Sequence, residues 1–160
     1  MITLQPISED NFRDVLKLRA SEELVAPNFY SLAEAYCSLI DAVNKGVPQC
    51  DLLFAIVNDK TVVGFAMMTF EDGKDVNSDS EIYWMSRFMI DENHQAKGYG
   101  KAALALLIDH IKTKPHDCDV KYFYTAVVPT NHIATKTYAS LGFEKTGQVW
   151  GSEDVMRLIL

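Results

Sequence analysis

The stretch Arg87-Phe88-Met89-Ile90-Asp91-Glu92-Asn93-His94-Gln95-Ala96-Lys97-Gly98-Tyr99-Gly100-Lys101 decides the fold. An apolar segment ending at Ile90 predicts a strand. A loop with two glycines follows, and a helix opens at Gly98. The first backbone N–H groups of a helix have no intrahelical partner and point at whatever lies before them, and the helix dipole favours an anion there. Glycine lets phosphate oxygens approach the backbone and permits unusual φ values. Lys97 and Lys101 add positive charge. The pattern therefore points to a phosphate or pyrophosphate ligand, the alternative being an ordinary tight turn between strand and helix.

Working outward, Glu81 to Ile90 is apolar on both faces, which places that strand centrally in a sheet. Downstream, Ala103, Leu104, Leu107, Ile108 and Ile111 form one stripe of a helix over Gly98–Lys112. Lys121–Val128 reads as a strand and Asn131–Leu141 as a helix stopped by Gly142. Phe143–Trp150 and Asp154–Leu160 read as two strands about a Gly151-Ser152 turn. Upstream, Ile2 and Leu4 start a first strand. Ser8 is expected to cap a helix carrying Phe12, Val15, Leu16 and Arg19. Glu22 to Tyr30 is a loop, and Ser31 with Glu34 forms a capping box for a second helix ending at Gly46 and Pro48. Leu52–Val57 and Thr61–Phe70 form a hairpin about Asn58-Asp59-Lys60. The order β-α-α-β-β-β-α-β-α-β-β predicts one mixed α/β domain over residues 1–160. The strands Glu81–Ile90 and Lys121–Val128 should be parallel neighbours, joined by a right-handed crossover through the helix between them.

Three phosphate-binding designs can be compared. A P-loop needs G-x-x-x-x-G-K-S/T, which is absent. A dinucleotide fold needs G-x-G-x-x-G/A directly after a strand. Gly98, Gly100 and Ala103 fit that spacing, but residues 91–97 intervene after Ile90, and no acidic residue ends the next strand at Val127-Val128-Pro129. An acyl-CoA loop is the third design.

At Gln95, Gly98 and Gly100 the chain resembles the GCN5-related N-acetyltransferases, whose signature is Q/R-x-x-G-x-G/A. Asn131, Ala134 and Tyr138 followed by Leu141-Gly142-Phe143 resemble that family's downstream N-x-x-A-x-x-x-Y-x-x-x-G-F segment. Ala96 and His94 depart from the commoner residues, at positions the signature leaves variable. Within the family, Arg87–Asp91 and Val155-Met156 look most like the bacterial polyamine acetyltransferases. The resemblance implies a mostly antiparallel α+β sheet with a V-shaped splay between two central parallel strands, flanked by four helices. It implies acetyl-CoA as co-substrate and no metal.

By resemblance, backbone groups of Gln95, Ala96, Lys97, Gly98, Tyr99 and Gly100 hold the pyrophosphate. Those of Phe88, Met89 and Ile90 meet the thioester carbonyl and the pantetheine arm, stabilising the oxyanion. Asn131 and Ala134 open the downstream helix, where Asn131 caps the helix, contacts the CoA arm, or does both. Tyr138 is the candidate acid for the departing thiolate, or a core tyrosine. An alkylamine with a pKa of ~10.4 must lose a proton before it attacks. Glu81 is the candidate base. Glu22, Glu23 and Trp84 are candidates for the acceptor side, Trp84 through cation–π contact.

Composition bounds the remaining choices. The chain has 160 residues, 48% hydrophobic and 23% charged, with a formal net charge of −7. That charge argues against nucleic-acid binding and suits a cationic partner. Cys37, Cys50 and Cys118 are too few and too scattered for a disulfide framework or a zinc site. No signal-like or membrane-spanning stretch occurs, so a cytoplasmic protein acting on a small-molecule amine is expected. The sequence leaves oligomeric state open, a homodimer included. Other acceptors (aminoglycoside, amino acid, protein amine), a non-catalytic acyl-CoA-binding module and a hydride-transferring enzyme are the competing readings.

Overall fold

The computed structural model describes residues 1–19, 53–115 and 120–160. The predicted second helix, the loop with Glu22 and Glu23, and all three cysteines lie outside the described residues. Seven strands are described: β1 (Ile2–Pro6), β2 (Leu53–Asn58), β3 (Thr61–Glu71), β4 (Ile82–Ile90), β5 (Tyr122–Val127), β6 (Glu144–Trp150) and β7 (Glu153–Ile159). Three α-helices occur among the described residues: α1 (Phe12–Val15), α2 (Tyr99–Lys112) and α3 (His132–Ala139). The sheet order is β1-β2-β3-β4-β5-β7-β6, so β4 is central, as its two-sided apolar sequence predicts.

The pairing is antiparallel for β1–β2, β2–β3, β5–β7 and β6–β7. The pair β4–β5 is parallel, in the register Tyr83↔Phe123, Trp84↔Tyr124 and Met85↔Thr125. That ladder covers three positions, while β4 runs on to Ile90 and β5 to Val127.

The chain forms two compact units. The first comprises Met1–Met67 and Arg87–Leu106. Its core joins Val15, Leu18, Ala55, Val57, Phe65 and Met67, with Ile7, Leu53, Val62 and Met89 packed against them. Gly64 is required here: a Cβ at that position would lie 2.4 Å from the Met89 carbonyl oxygen, too close for any side chain. The second unit comprises Met68–Ser86 and Leu107–Leu160. Phe123, Phe143 and Tyr138 pack on one face of its strands. Val76, Ile82, Tyr124 and Val155, flanked by Trp84 and Tyr122, pack on the other.

The first helix differs from expectation. It is a single turn whose N-cap is Asn11, not Ser8. The Asn11 side chain accepts from Ser8 N–H at 2.9 Å and donates to the Pro6 carbonyl at 2.9 Å. These bonds hold the chain in a turn through residues 6–11, where Ser8 accepts from Asp10 N–H through Oγ at 3.3 Å and from Phe12 N–H through its carbonyl at 3.0 Å, and the regular helix runs from Phe12. The downstream elements match their predicted bounds to within one or two residues. No helix among the described residues is long and apolar enough to cross a membrane.

Candidate functional site

In the first unit, β4 ends at Ile90 and a short 3-10 turn, Glu92–His94, leads into the glycine loop. Ala96 has φ +59° and Gly98 φ +77°. Left-handed backbone at alternate positions turns successive N–H groups toward one concavity that suits an anion. For Ala96 that conformation costs about 1–2 kcal/mol, which explains why glycine is the easier residue there. The first α2 bond runs from Ala102 N–H to the Gly98 carbonyl at 3.1 Å, leaving the N–H groups ahead of it for a ligand.

The loop is braced from within. Gln95 Nε2 donates to the Ile90 carbonyl at 3.1 Å, and Lys97 Nζ to the Asn93 carbonyl at 3.0 Å. The Gln95 side chain thus fastens the loop to the strand end. Gln95, Ala96, Lys97 and Gly98 are all exposed. A Cβ added to Gly98 would meet nothing within 4 Å, so the space in front of the loop is open. One added to Gly100 would sit 3.6 Å from Ile90 Cγ1 and 3.8 Å from Phe88 Cε1. Gly100 therefore brings the helix start against the end of β4.

Asp91, which the sequence did not single out, anchors this region. Its carboxylate accepts from Arg19 N–H at 2.9 Å and Asn93 N–H at 3.0 Å. Its own N–H donates to the Val63 carbonyl at 2.9 Å. Burial raises the Asp91 pKa, but these N–H groups outweigh it and hold the carboxyl below its ordinary range. The residue spaces the strand end from the loop and ties both to the chain at Arg19.

In the second unit, Asn131 Oδ1 accepts from Ala134 N–H at 3.0 Å and caps α3. Tyr138 is buried on that helix, with its ring centroid 5.7 Å from that of Phe143. Burial pushes its phenol up to about 12, opposed by a hydrogen bond with Thr125 and assisted by the Glu153 carboxylate. The Thr125 hydroxyl also donates to the Met85 carbonyl at 3.3 Å. Thr125 is thus a second residue that the sequence did not reveal.

Trp84 is half-buried, at the β4 position that pairs with Tyr124. Successive strand residues face opposite sides, so Trp84 beside Tyr124 and Tyr138 beside Thr125 occupy opposite faces. Glu81 is exposed, one residue ahead of β4. Among the described residues no cluster of His, Cys, Asp or Glu is arranged to hold a metal.

A model of the acetyltransferase (GNAT) family matches residues 14–143. The chain is 28% identical over 158 residues to the spermine/spermidine N(1)-acetyltransferase of Bacillus subtilis strain 168, covering 97% of this chain and 96% of that protein. A probable spermine N(1)-acetyltransferase of B. subtilis subsp. natto is also 28% identical, over the same shares of both chains. The PaiA N-acetyltransferase of Thermoplasma acidophilum, solved in complex with coenzyme A, has a TM-score of 0.68 at 16% identity, over 100% of this chain and 99% of that one. The ribosomal-protein-S18-alanine N-acetyltransferase of Escherichia coli has a TM-score of 0.67 at 18% identity, over 99% and 94%.

Proposed function

Because the chain belongs to the acetyltransferase (GNAT) family and is an acetyl-CoA-dependent N-acetyltransferase, we propose that its acceptor is a polyamine or similar small primary amine. The observation that carries this is the end-to-end match to a spermine/spermidine N(1)-acetyltransferase. The net charge of −7 is in keeping with a polycationic substrate. The family match runs from residue 14 to 143, through segments of both units, which supports one catalytic domain over residues 1–160.

In this proposal the N–H groups of Gln95 to Gly100 hold the pyrophosphate of acetyl-CoA. Support comes from the open space at Gly98, the left-handed backbone at Ala96 and Gly98, and the positive end of α2. Backbone donors of Phe88, Met89 and Ile90 meet the thioester carbonyl and the pantetheine arm. Donors fixed in advance cost no reorganisation when charge develops on oxygen. The attacking amine gives up its proton to Glu81 or through water to solvent, and Tyr138 serves the departing thiolate. Asn131 and Ala134 keep the start of α3 in place beside the CoA arm. Trp84 is assigned to the acceptor side, as are Glu22 and Glu23, which lie outside the described residues and are assigned from the family resemblance alone.

The test is acetyl-CoA-dependent thiol release across a panel of amines. Spermidine or spermine should show a higher kcat/KM than aminoglycosides, amino acids or peptide N-termini. A clear preference for a neutral or anionic acceptor would overturn the polyamine reading and leave the acetyltransferase activity standing.

A further inference from the structure

Asp91 stands where β4 gives way to the glycine loop, and it is only 8% exposed. Both of its carboxylate oxygens are engaged. Oδ1 accepts from Asn93 N–H at 3.0 Å and from Asn93 Nδ2 at 3.2 Å, and Oδ2 accepts from Arg19 N–H at 2.9 Å. The backbone around it is held as firmly. Asp91 N–H donates to the Val63 carbonyl at 2.9 Å, His94 N–H to the Asp91 carbonyl at 2.8 Å, and Glu92 N–H to the Arg19 carbonyl at 3.0 Å. Both backbone groups of Arg19 are thus tied to this turn, one residue beyond Leu18 of the buried core.

The glycine loop leans on the same short segment. Gln95 Nε2 bonds the carbonyl of Ile90, immediately before Asp91, and Lys97 Nζ bonds the carbonyl of Asn93. The carboxylate that fixes Asn93 therefore also fixes the anchor point of Lys97. Charge works in the other direction. A carboxylate repels an anion bound a few residues downstream. A buried aspartate here serves an anion-binding loop only if its geometric effect outweighs its field.

We infer that Asp91 is a positioning residue for acetyl-CoA: its two carboxylate oxygens hold the Glu92–His94 turn between Arg19 and the glycine loop, and so set the loop's N–H groups in the geometry that receives the pyrophosphate. A carboxylate is required because both oxygens accept. An amide of the same shape has one acceptor and one NH2 group. Whichever way it is turned, the N–H of Asn93 or of Arg19 then faces a donor. The inference deepens the reading of the glycine loop as the pyrophosphate seat and rests on it.

The test variant is Asp91→Asn, which keeps the shape and retains one oxygen to cap the turn. Loss of the negative charge alone predicts tighter acetyl-CoA binding, whereas loss of positioning predicts weaker binding. Calorimetry should show the Kd for acetyl-CoA raised about tenfold or more, the size of one lost hydrogen bond to a charged group. The comparison donor is S-acetylpantetheine, which carries the thioester on the same arm without the pyrophosphate. Its kcat/KM should be equal in variant and parent, because Asp91 acts through the pyrophosphate loop. Asp91→Ala removes both acceptors and should lose at least as much acetyl-CoA affinity as Asp91→Asn, with circular dichroism as the check on folding. Gly98→Val, measured alongside, reports on the loop itself. If Gly98→Val loses acetyl-CoA affinity while Asp91→Asn keeps or tightens it, the positioning role is overturned and the pyrophosphate seat stands. If Gly98→Val leaves the affinity unchanged, the seat fails and the positioning role falls with it. Equal losses for acetyl-CoA and S-acetylpantetheine in Asp91→Asn mark a purely structural carboxylate and also overturn the role.

Discussion

A phenol ionises near pH 10 in water, and burial holds Tyr138 up to about 12. A thiol of the free-cysteine kind has a pKa of ~8.5, so full transfer of the Tyr138 proton to such a thiolate is uphill by about 5 kcal/mol. In the proposed mechanism its first contribution is thus a hydrogen bond to charge developing on sulfur, and transfer completes only as the thiolate loses its own solvation. Replacing Tyr138 by Phe removes that donor and keeps the packing against Phe143. We expect kcat to fall by roughly 10²–10⁴ with the KM for acetyl-CoA little altered; full activity would return Tyr138 to a purely structural role. A second readout follows from linkage. The folded-state pKa is raised, so the stabilisation is fully present below the unfolded value near 10 and is lost as pH rises toward about 12. Thermal melts from about pH 9 to 12 should show this decline in the parent and a shallower one in the Phe variant.

At the scale of one element, the start of α2 turns on two glycines with different duties. Gly98 has φ +77° and open space where a Cβ would be, whereas Gly100 lies against Ile90 and Phe88. A Gly98→Val substitution meets no protein atom at its Cβ, so its cost to folding is backbone strain of about 1–2 kcal/mol. The bulk falls where phosphate oxygens are proposed to sit. Calorimetry should therefore show acetyl-CoA affinity down by more than tenfold while the melting temperature drops only about 2–8 °C. Unchanged affinity would remove the loop from the cofactor site. The same scale shows where local pattern misleads. Ser8 accepts from Asp10 N–H as a cap would, but Asn11 takes the Ser8 N–H and the Pro6 carbonyl, and the regular helix starts only at Phe12.

For the whole molecule the relevant quantity is the net charge of −7. Long-range attraction acts on the encounter with a polycation and weakens as the Debye length shrinks from about 10 Å at ~0.1 M salt to about 3 Å at ~1 M. The kcat/KM for spermidine should therefore fall several-fold across that range, and that for singly charged butylamine by less. A flat response for both amines would show that the acidic balance only confers solubility.

Most of the secondary structure and the glycine loop after β4 could be read from short windows of sequence. Helical stripes, β-branched runs and glycines are demands of the local backbone. Ala103, Leu104, Leu107, Ile108 and Ile111 are all buried along α2, as their spacing requires. The left-handed turn at Gly98 likewise needs no distant partner to be recognised. What the tertiary structure alone decided are the pairings between remote segments. Asp91 accepts from Arg19, Tyr138 bonds Thr125, and Trp84 meets Trp150. The last pairing depends on a sheet ordered β5-β7-β6, in which the chain's final strand inserts between two earlier ones. A strand's periodicity states which face is apolar and is silent on which strand lies beside it. The contact of Trp84 with Trp150 is therefore a property of the strand order and not of either strand's sequence.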